Sequence, residues 1–146
     1  MANKKTSNFN PDEVAIIFGT HTITGFADGT FIEVEQTNDS FTLTKGADGE
    51  AARVRSNDDS GTVKVSLLQS ADSNMVLSLL HQVDKKSGKG TLPILFKDAS
   101  GDTVGAGAVA WIKKPAGIGY SKGIETRVWV FDVAHLEMLT GGNAAI

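Results

Sequence analysis

The chain of 146 residues contains no cysteine and only three prolines. Without thiols it cannot form disulfides, thiolate metal sites or a cysteine nucleophile. The three histidines, His21, His81 and His135, lie far apart and lack the spacing of a zinc motif. Since no nucleophile has a base beside it, we predict no catalytic residue, no metal site and no cofactor. A protein of this kind usually acts through its surface.

Long apolar runs and an excess of basic residues are also missing. The apolar runs are too short to cross a bilayer, so we expect no membrane contact. The polar start at residues 1–10 lacks the apolar core of a signal peptide, which predicts synthesis in the cytosol. The formal net charge of −3 argues against a nucleic-acid-binding surface. The length predicts one domain over residues 1–146.

Glycine, in contrast, is frequent, and its 16 copies separate short apolar runs. This pattern is typical of turns in an antiparallel sheet. Asp28-Gly29 predicts a tight hairpin turn at 27–30, and the small residues of 105–110 predict a strand that another strand approaches closely. We predict a mostly β protein, with strands near 13–19, 21–27, 30–36, 40–45, 51–56, 61–68, 92–98, 103–112 and 124–134.

The alternation of side chains assigns faces to these strands. Ile32 and Val34 point one way while Glu33 and Glu35 point the other, so strand 30–36 has one dry and one wet face. In strand 61–68 the wet face carries Thr62, Lys64 and Ser66. Strands 13–19 and 124–134 are apolar on both faces and need cover on two sides. A packed sheet and helix, or a neighbouring subunit, supplies the second cover.

One amphipathic helix is predicted at about 70–86. Ser70 is the expected cap, Lys85 and Lys86 suit the negative end of the helix dipole, and Gly88 and Gly90 end the helix. The apolar stripe that we expect to pack on the edge of the sheet consists of Val76, Leu79, Leu80 and Val83.

Residues 37–61 form a second distinctive segment, with charged residues in two glycine-containing turns. The pattern predicts a long charged hairpin that projects from the body. Such a hairpin alone is only marginally stable, so a partner that orders it is expected.

Six runs resemble the tail tube subunits of bacteriophages with contractile tails. They are ITGFADGTF (23–31), GADGE (46–50), SNDDSGTV (56–63), LLQSADSN (67–74), PILFKD (93–98) and AWIKKP (110–115). The resemblance covers about residues 14–134 and leaves the tail at 141–146 unmatched. It implies a β-sandwich or short barrel of antiparallel strands with one flanking helix. It also implies homohexameric rings that stack into a hollow tube within a contractile sheath.

The resemblance further implies a place in the virion tail, with the sheath protein outside and the tape measure protein and genomic DNA in the lumen. An acidic lumen repels phosphate, so the DNA slides without sequence-specific binding. Candidates for the lumen face are Glu33, Glu35, Thr62, Lys64 and Ser66. Candidates for contacts between rings are Asp48, Glu50, Arg53, Arg55, Asp58 and Asp59, whose alternating charges set register. Candidates for the seam between subunits are Trp129 and Phe131.

Three other interpretations remain at this stage. A tail completion or baseplate ring protein has the same fold and differs in copy number. A monomeric ligand-binding β-sandwich, such as a carbohydrate module, needs exposed aromatic residues on one face. A small hydrolase needs a carboxylate pair, for which Glu33 and Glu35 have a permitted spacing.

Overall fold

The computed structural model describes residues 4–143, a mainly β structure with one α-helix. This confirms the predicted fold class. A short 3₁₀ helix, Pro11–Glu13, precedes the first strand, and the α-helix α1 is Ser73–Ser87. The strands are β1 (Val14–Phe18), β2 (His21–Thr22), β3 (Ile32–Gln36), β4 (Phe41–Lys45), β5 (Ala51–Arg55), β6 (Gly61–Leu68), β7 (Leu92–Asp98), β8 (Val104–Lys114), β9 (Thr126–Val133) and β10 (Glu137–Leu139).

The strands form one antiparallel sheet in the order β2-β1-β7-β8-β9-β6-β3, with β10 paired to β8. Strands β4 and β5 make a separate two-stranded sheet. Within residues 4–143 the large sheet does not close into a barrel, because β2 and β3 remain at its two ends. Of the two expected architectures, the closed barrel is therefore not formed.

The large sheet instead folds over on itself. Phe18 of β1 and Phe131 of β9 meet edge to face, with ring centroids 4.9 Å apart, although β7 and β8 lie between these strands in the sheet. Three strand spacings in a flat sheet would separate them by about 14 Å. The two halves of the sheet thus share one core, as in a sandwich. Both rings are almost fully buried in it.

Small residues in β8 allow this close packing. Gly105 lies directly against the ring of Phe96 in β7, and Gly107 lies against Val133 of β9. A β-carbon at either glycine would overlap its neighbour. The prediction that another strand packs closely on residues 105–110 is confirmed, and both partner side chains are buried.

Helix α1 differs from its predicted start. The N-cap is Asp72, without a side-chain capping bond, so the predicted cap at Ser70 is wrong. The side chain of Asn74 instead donates to the carbonyl oxygens of Leu68 (2.9 Å) and Gln69 (3.4 Å). The predicted end is confirmed. Gly88 adopts φ of 69°, a left-handed conformation that favours glycine, and its N–H donates to the carbonyl oxygen of Asp84.

The buried face of α1 is also rotated from the predicted stripe. Ser73 and Leu77 are buried, whereas Leu79 and Val83 are 55 % and 60 % exposed. The hydroxyl of Ser73 accepts a hydrogen bond from the N–H of Thr24 and contacts a ring nitrogen of His21. These polar contacts hold the Ser73–Leu77 side of the helix against the body. Hydrophobicity alone does not reveal them.

The turn at Asp28-Gly29 forms, but the predicted hairpin does not. Strand β2 ends at Thr22, and the chain on both sides of the turn pairs with β6. Phe26 pairs with Leu67, and Ile32 pairs with Val65. The chain thus advances six residues, from 26 to 32, while its partner β6 advances only two. The turn is therefore a wide excursion within one edge of the sheet.

Strand β10 was not predicted, because its exposed residues show no alternation of apolar and polar faces. Beyond it, Gly101 forms a bridge with Asn143, whose side chain donates to Asp98 Oδ2 at 3.1 Å. The unmatched tail at 141–146 is thus tied to the 98–101 turn through Asn143. Its last three residues, 144–146, lie outside the described residues.

Candidate interaction surfaces

The five lumen candidates lie together on the outer face of β3 and β6. The register pairs Glu33 with Lys64 and Glu35 with Thr62, and residues directly opposite each other share a face. The same face continues into β9, where Asp132 lies opposite Thr62. Three carboxylates and one ammonium give this acidic face a net charge of −2.

Within residues 4–143 the one pair of opposite charges within 4 Å is His135–Asp59. That pair lies outside the acidic face, so no ion pair forms on the acidic face itself. The charges of the acidic face are therefore free to act on the solvent side. Asp132 was missed as a candidate. The alternation of Val128, Val130 and Asp132 along β9 was the available signal.

The predicted hairpin forms as β4 and β5, and each of their ten residues is exposed. The register places Arg55 opposite Phe41 and Arg53 opposite Leu43. One face of this hairpin therefore carries Phe41, Leu43, Lys45, Arg53 and Arg55, with the Arg53 guanidinium 4.3 Å from the Phe41 ring centroid. Every cation of these two strands lies on this one face. The structure therefore separates the positive charges of the segment from its negative charges, although the two signs alternate in the sequence.

The acidic residues of the segment lie at its two ends. Asp48 and Glu50 are at the tip, where Asp48 Oδ1 accepts the N–H of Glu50 at 3.1 Å and Gly49 has φ of 89°. At the base, hydrogen bonds from Ser60 lower the pKa of Asp58. The six candidates for contacts between rings are thus divided between the two ends and the basic face of the hairpin.

Asp59, also at the base, makes a close contact with a distant part of the chain. One of its oxygens lies 2.6 Å from Nδ1 of His135. This contact lowers the pKa of Asp59 and raises that of His135. Since the main-chain N–H of Leu136 also donates to the carbonyl of Asp59 (2.9 Å), the turn after β9 is tied to the base of the hairpin. Asp59 therefore has a partner within its own chain.

The two seam candidates lie inside the core. Trp129 is 3 % exposed and Phe131 is 0 % exposed, so neither presents surface to a neighbouring subunit. The opposite face of β9 is the accessible one, and Val128 on it is 42 % exposed. Val128 shares this face with Asp132, so the accessible side of β9 belongs to the acidic face.

Helix α1 has an exposed apolar face. Two of its residues, Leu79 and Val83, belong to the stripe that the sequence pattern assigned to the core. Met75, Leu79 and Val83 follow at intervals of four residues and are each more than half exposed. No other element in residues 4–143 covers them. A contiguous exposed apolar strip of this kind typically marks an interaction surface.

Two further kinds of site were sought in the described residues. Residues 4–143 contain no group of three or more His, Cys, Asp or Glu side chains that could hold a metal ion. In the same range, no helix has the length and apolar character needed to span a membrane.

Comparisons with known proteins give a consistent assignment. The family described as "Bacteriophage PhiTE tail tube protein" matches residues 16–141. The structural protein ORF10 of Pseudomonas phage KPP10 is 33 % identical over 150 residues, which cover 97 % of this chain and 87 % of that protein.

Two solved structures share the fold at low sequence identity. The tube-terminating cap of the anti-feeding prophage has a TM-score of 0.58 and 8 % identity, with 96 % of each chain covered. The sheath/tube terminator of the extracellular contractile injection system PVC has a TM-score of 0.53 and 9 % identity, with 92 % of this chain and 99 % of that chain covered.

Proposed function

The chain belongs to the bacteriophage PhiTE tail tube protein family, and from this premise we propose that it forms hexameric rings that stack into a hollow tube. The family consists of structural tail proteins, so the role of the chain is structural and not enzymatic. The tube lies within the contractile sheath of the virion tail. It encloses the tape measure protein and then carries the genome. The chain is made in the host cytoplasm.

The exposed β4–β5 hairpin is the observation that carries this proposal. Phe41, Leu43 and Val54 are 47 %, 66 % and 62 % exposed, on a two-stranded ribbon that lacks a core of its own. Isolated two-stranded ribbons are marginally stable in water, and exposed apolar side chains indicate an interface. In the tube, the hairpin packs on a subunit of the next ring.

The remaining surfaces fit the other contacts of a tube. The acidic face of β3, β6 and β9 lines the lumen, where its net negative charge repels DNA phosphates and limits binding during passage. The Met75–Leu79–Val83 strip of α1 faces outward to the sheath protein. Seams within the ring join the end strands of the large sheet, β2 and β3, of neighbouring subunits. A seam of this type is heterologous and closes by rotation, whereas stacking continues along the axis.

Assembly of the purified protein tests the proposal. Sedimentation and negative-stain microscopy should show hollow filaments of stacked rings at high protein concentration. A variant in which residues 41–55 are replaced by a short Gly-Ser linker should remain folded and should not form filaments. Wild-type protein that stays monomeric at high concentration would contradict the proposal.

The same experiment separates the tube from the other interpretations. A tail completion or baseplate ring protein forms single rings without filaments. A carbohydrate-binding module stays monomeric and binds glycans. The family match covers most of the chain and favours the tube, whereas the two terminator structures, at 8 % and 9 % identity, support the fold alone.

A further inference from the structure

Arg127 is a largely buried cation that has no carboxylate partner in the described structure. It lies on the inward face of β9, opposite Leu67 of β6, and is only 8 % exposed. Within residues 4–143 its guanidinium group forms no ion pair, and its recorded contact is with the ring of Tyr120. Most of the side chain is covered, while its nitrogen atoms still reach solvent, so the charged end is accessible to a ligand of opposite charge. The missing partner therefore calls for an explanation.

The guanidinium lines an open cavity of about 550 Å³ between α1, β9 and the loop at 115–125. Tyr120 stacks over it at 5.4 Å, and the polar side chains of Gln69, Asn74 and Ser78 share the wall. Ile118 and Tyr120 at the rim are 79 % and 77 % exposed. A guanidinium in such a cavity matches a carboxylate, which it binds through two parallel hydrogen bonds.

The chain itself does not supply this carboxylate. Glu125 lies two residues before Arg127 in the same extended segment, and its carboxylate is not within the 4.0 Å of an ion pair. The ligand must therefore come from outside the described part of the chain. In a homo-oligomer, a second copy is the source that is always present.

We propose that the Arg127 cavity receives the carboxylate of Asp48 from the hairpin tip of a second copy. The inference rests on the proposed function and names the site into which the hairpin inserts. Asp48 lies at the tip of the exposed hairpin, in a turn of small residues (Gly46-Ala47-Asp48-Gly49). Its Oδ1 holds the turn by accepting from Glu50, and Oδ2 has no partner within residues 4–143. A tip with this shape and charge complements the cavity.

Neutralisation of the tip tests the charge. Asp48→Asn keeps the oxygen that accepts from the Glu50 N–H and removes the negative charge. We expect it to raise the critical concentration for tube assembly about tenfold, the effect of losing roughly one charge-assisted hydrogen bond. Asp28→Asn is the matched control, at an exposed turn aspartate outside the hairpin whose Oδ1 likewise accepts a main-chain N–H, and it should change the critical concentration less than twofold. Equal effects of the two variants, or no effect of Asp48→Asn, would overturn the assignment.

A cross-link tests the geometry without altering Arg127. Since the chain contains no cysteine, the variant Ala47→Cys/Ile118→Cys places thiols only at the tip and at the cavity rim. Oxidation of its assembled tubes should give a ladder of covalent oligomers on a non-reducing gel. The control Ala47→Cys/Leu95→Cys, with the second thiol on an exposed site of β7, should give none.

The outcomes separate the inference from the proposed function. Tubes that form without a ladder would overturn the docking of the tip and leave the tube function intact. A wild-type chain that forms neither rings nor tubes would reject both. A ladder together with the Asp48→Asn effect supports docking of the charged hairpin tip at the cavity that Arg127 lines.

Discussion

The indole Nε1 of Trp129 donates a hydrogen bond to Oδ1 of Asn74 at 2.9 Å, which links β9 to the first turn of α1. The amide nitrogen of the same asparagine donates to the carbonyls of Leu68 and Gln69 at the end of β6. One side chain thus joins the helix to two strands. Trp129 as a residue is only 3 % exposed, and Asn74 is half-buried, so this hydrogen bond is largely covered by the protein.

Asn74→Ala should lower the free energy of unfolding by about 1–3 kcal/mol, because it leaves a buried indole N–H without an acceptor. Urea denaturation at low protein concentration measures the loss. Asn57→Ala, at an exposed asparagine, is the control and should change stability by less than about 0.5 kcal/mol. Similar losses in both variants would show that the Trp129 contact does not stabilise the fold.

Gly105→Ala should destabilise the protein by about 1–3 kcal/mol, because the added methyl group overlaps the buried ring of Phe96. Thermal unfolding detects the change. Gly117→Ala introduces the same methyl group at a position with no atom within 4 Å and is expected to leave the midpoint almost unchanged. A neutral Gly105→Ala would show that β7 and β8 can separate without cost.

The His135–Asp59 pair predicts a pH dependence. The pKa of His135 is raised above 6.5, chiefly by the hydrogen bond and the charge of Asp59, with a smaller contribution from Asp58. The stabilisation by charged His135 is complete below pH 6.5 and is lost as the pH rises through the higher folded value. The pKa of Asp59 is lowered from 3.8, so its contribution is present above pH 3.8 and is lost as the pH falls through the folded value.

An NMR titration of the His135 ring tests this arrangement. Asp59→Asn should lower the pKa of His135 toward 6.5, and Asp58→Asn should lower it less, because Asp58 acts only through its charge. A histidine pKa that is the same in the wild type and in Asp59→Asn would contradict the contact.

Arg53→Glu should leave the monomer folded and stop tube growth. The side chain is exposed, and its one described contact is with the Phe41 ring on the same ribbon. Reversal of the charge disrupts the basic face that the hairpin presents to the next ring. Lys89→Glu, the same charge change outside the hairpin, should still give tubes. Micrographs of Arg53→Glu that remain full of long tubes would reject the role of this face.

Glu33→Cys tests the lumen assignment, since the introduced thiol is the only one in the chain. In free subunits it should react with a bulky polymer-linked maleimide, because Glu33 is exposed. In finished tubes the reaction should slow at least tenfold, because the reagent enters only at the ends. Lys86→Cys, on the helix side, should react equally fast in both states. Unchanged reactivity of the Glu33→Cys thiol on assembly would place this face outside the lumen.

Local patterns in the sequence predict most of the strands. Alternation in 61–68 assigns Val63 and Val65 to the core and Lys64 to the surface, because a strand exposes every second side chain to each face. The charged hairpin at 37–61 is predicted by its turn glycines, and Gly49 has the positive φ that such a turn requires.

The errors arise where distant contacts decide the structure. The hydrophobic pattern of the helix does not include Ser73, because serine is polar. Its hydroxyl is nevertheless buried by contacts with Thr24 and His21. Likewise, Asp28-Gly29 predicts a turn but not whether its flanks pair with each other or with β6. The open cavity at Arg127 depends on a loop at 115–125 that has no periodic pattern.

The hairpin shares no strand pairing with the eight-stranded sheet. Backbone hydrogen bonds from Thr37 to Ser60 and from Ser56 to Ser40 hold its base. We expect the ribbon to tilt about these two short stretches more easily than the strands of the large sheet move. We expect a filament built from such pieces to absorb curvature at its joints, so that a long tail flexes without distorting the units that compose it.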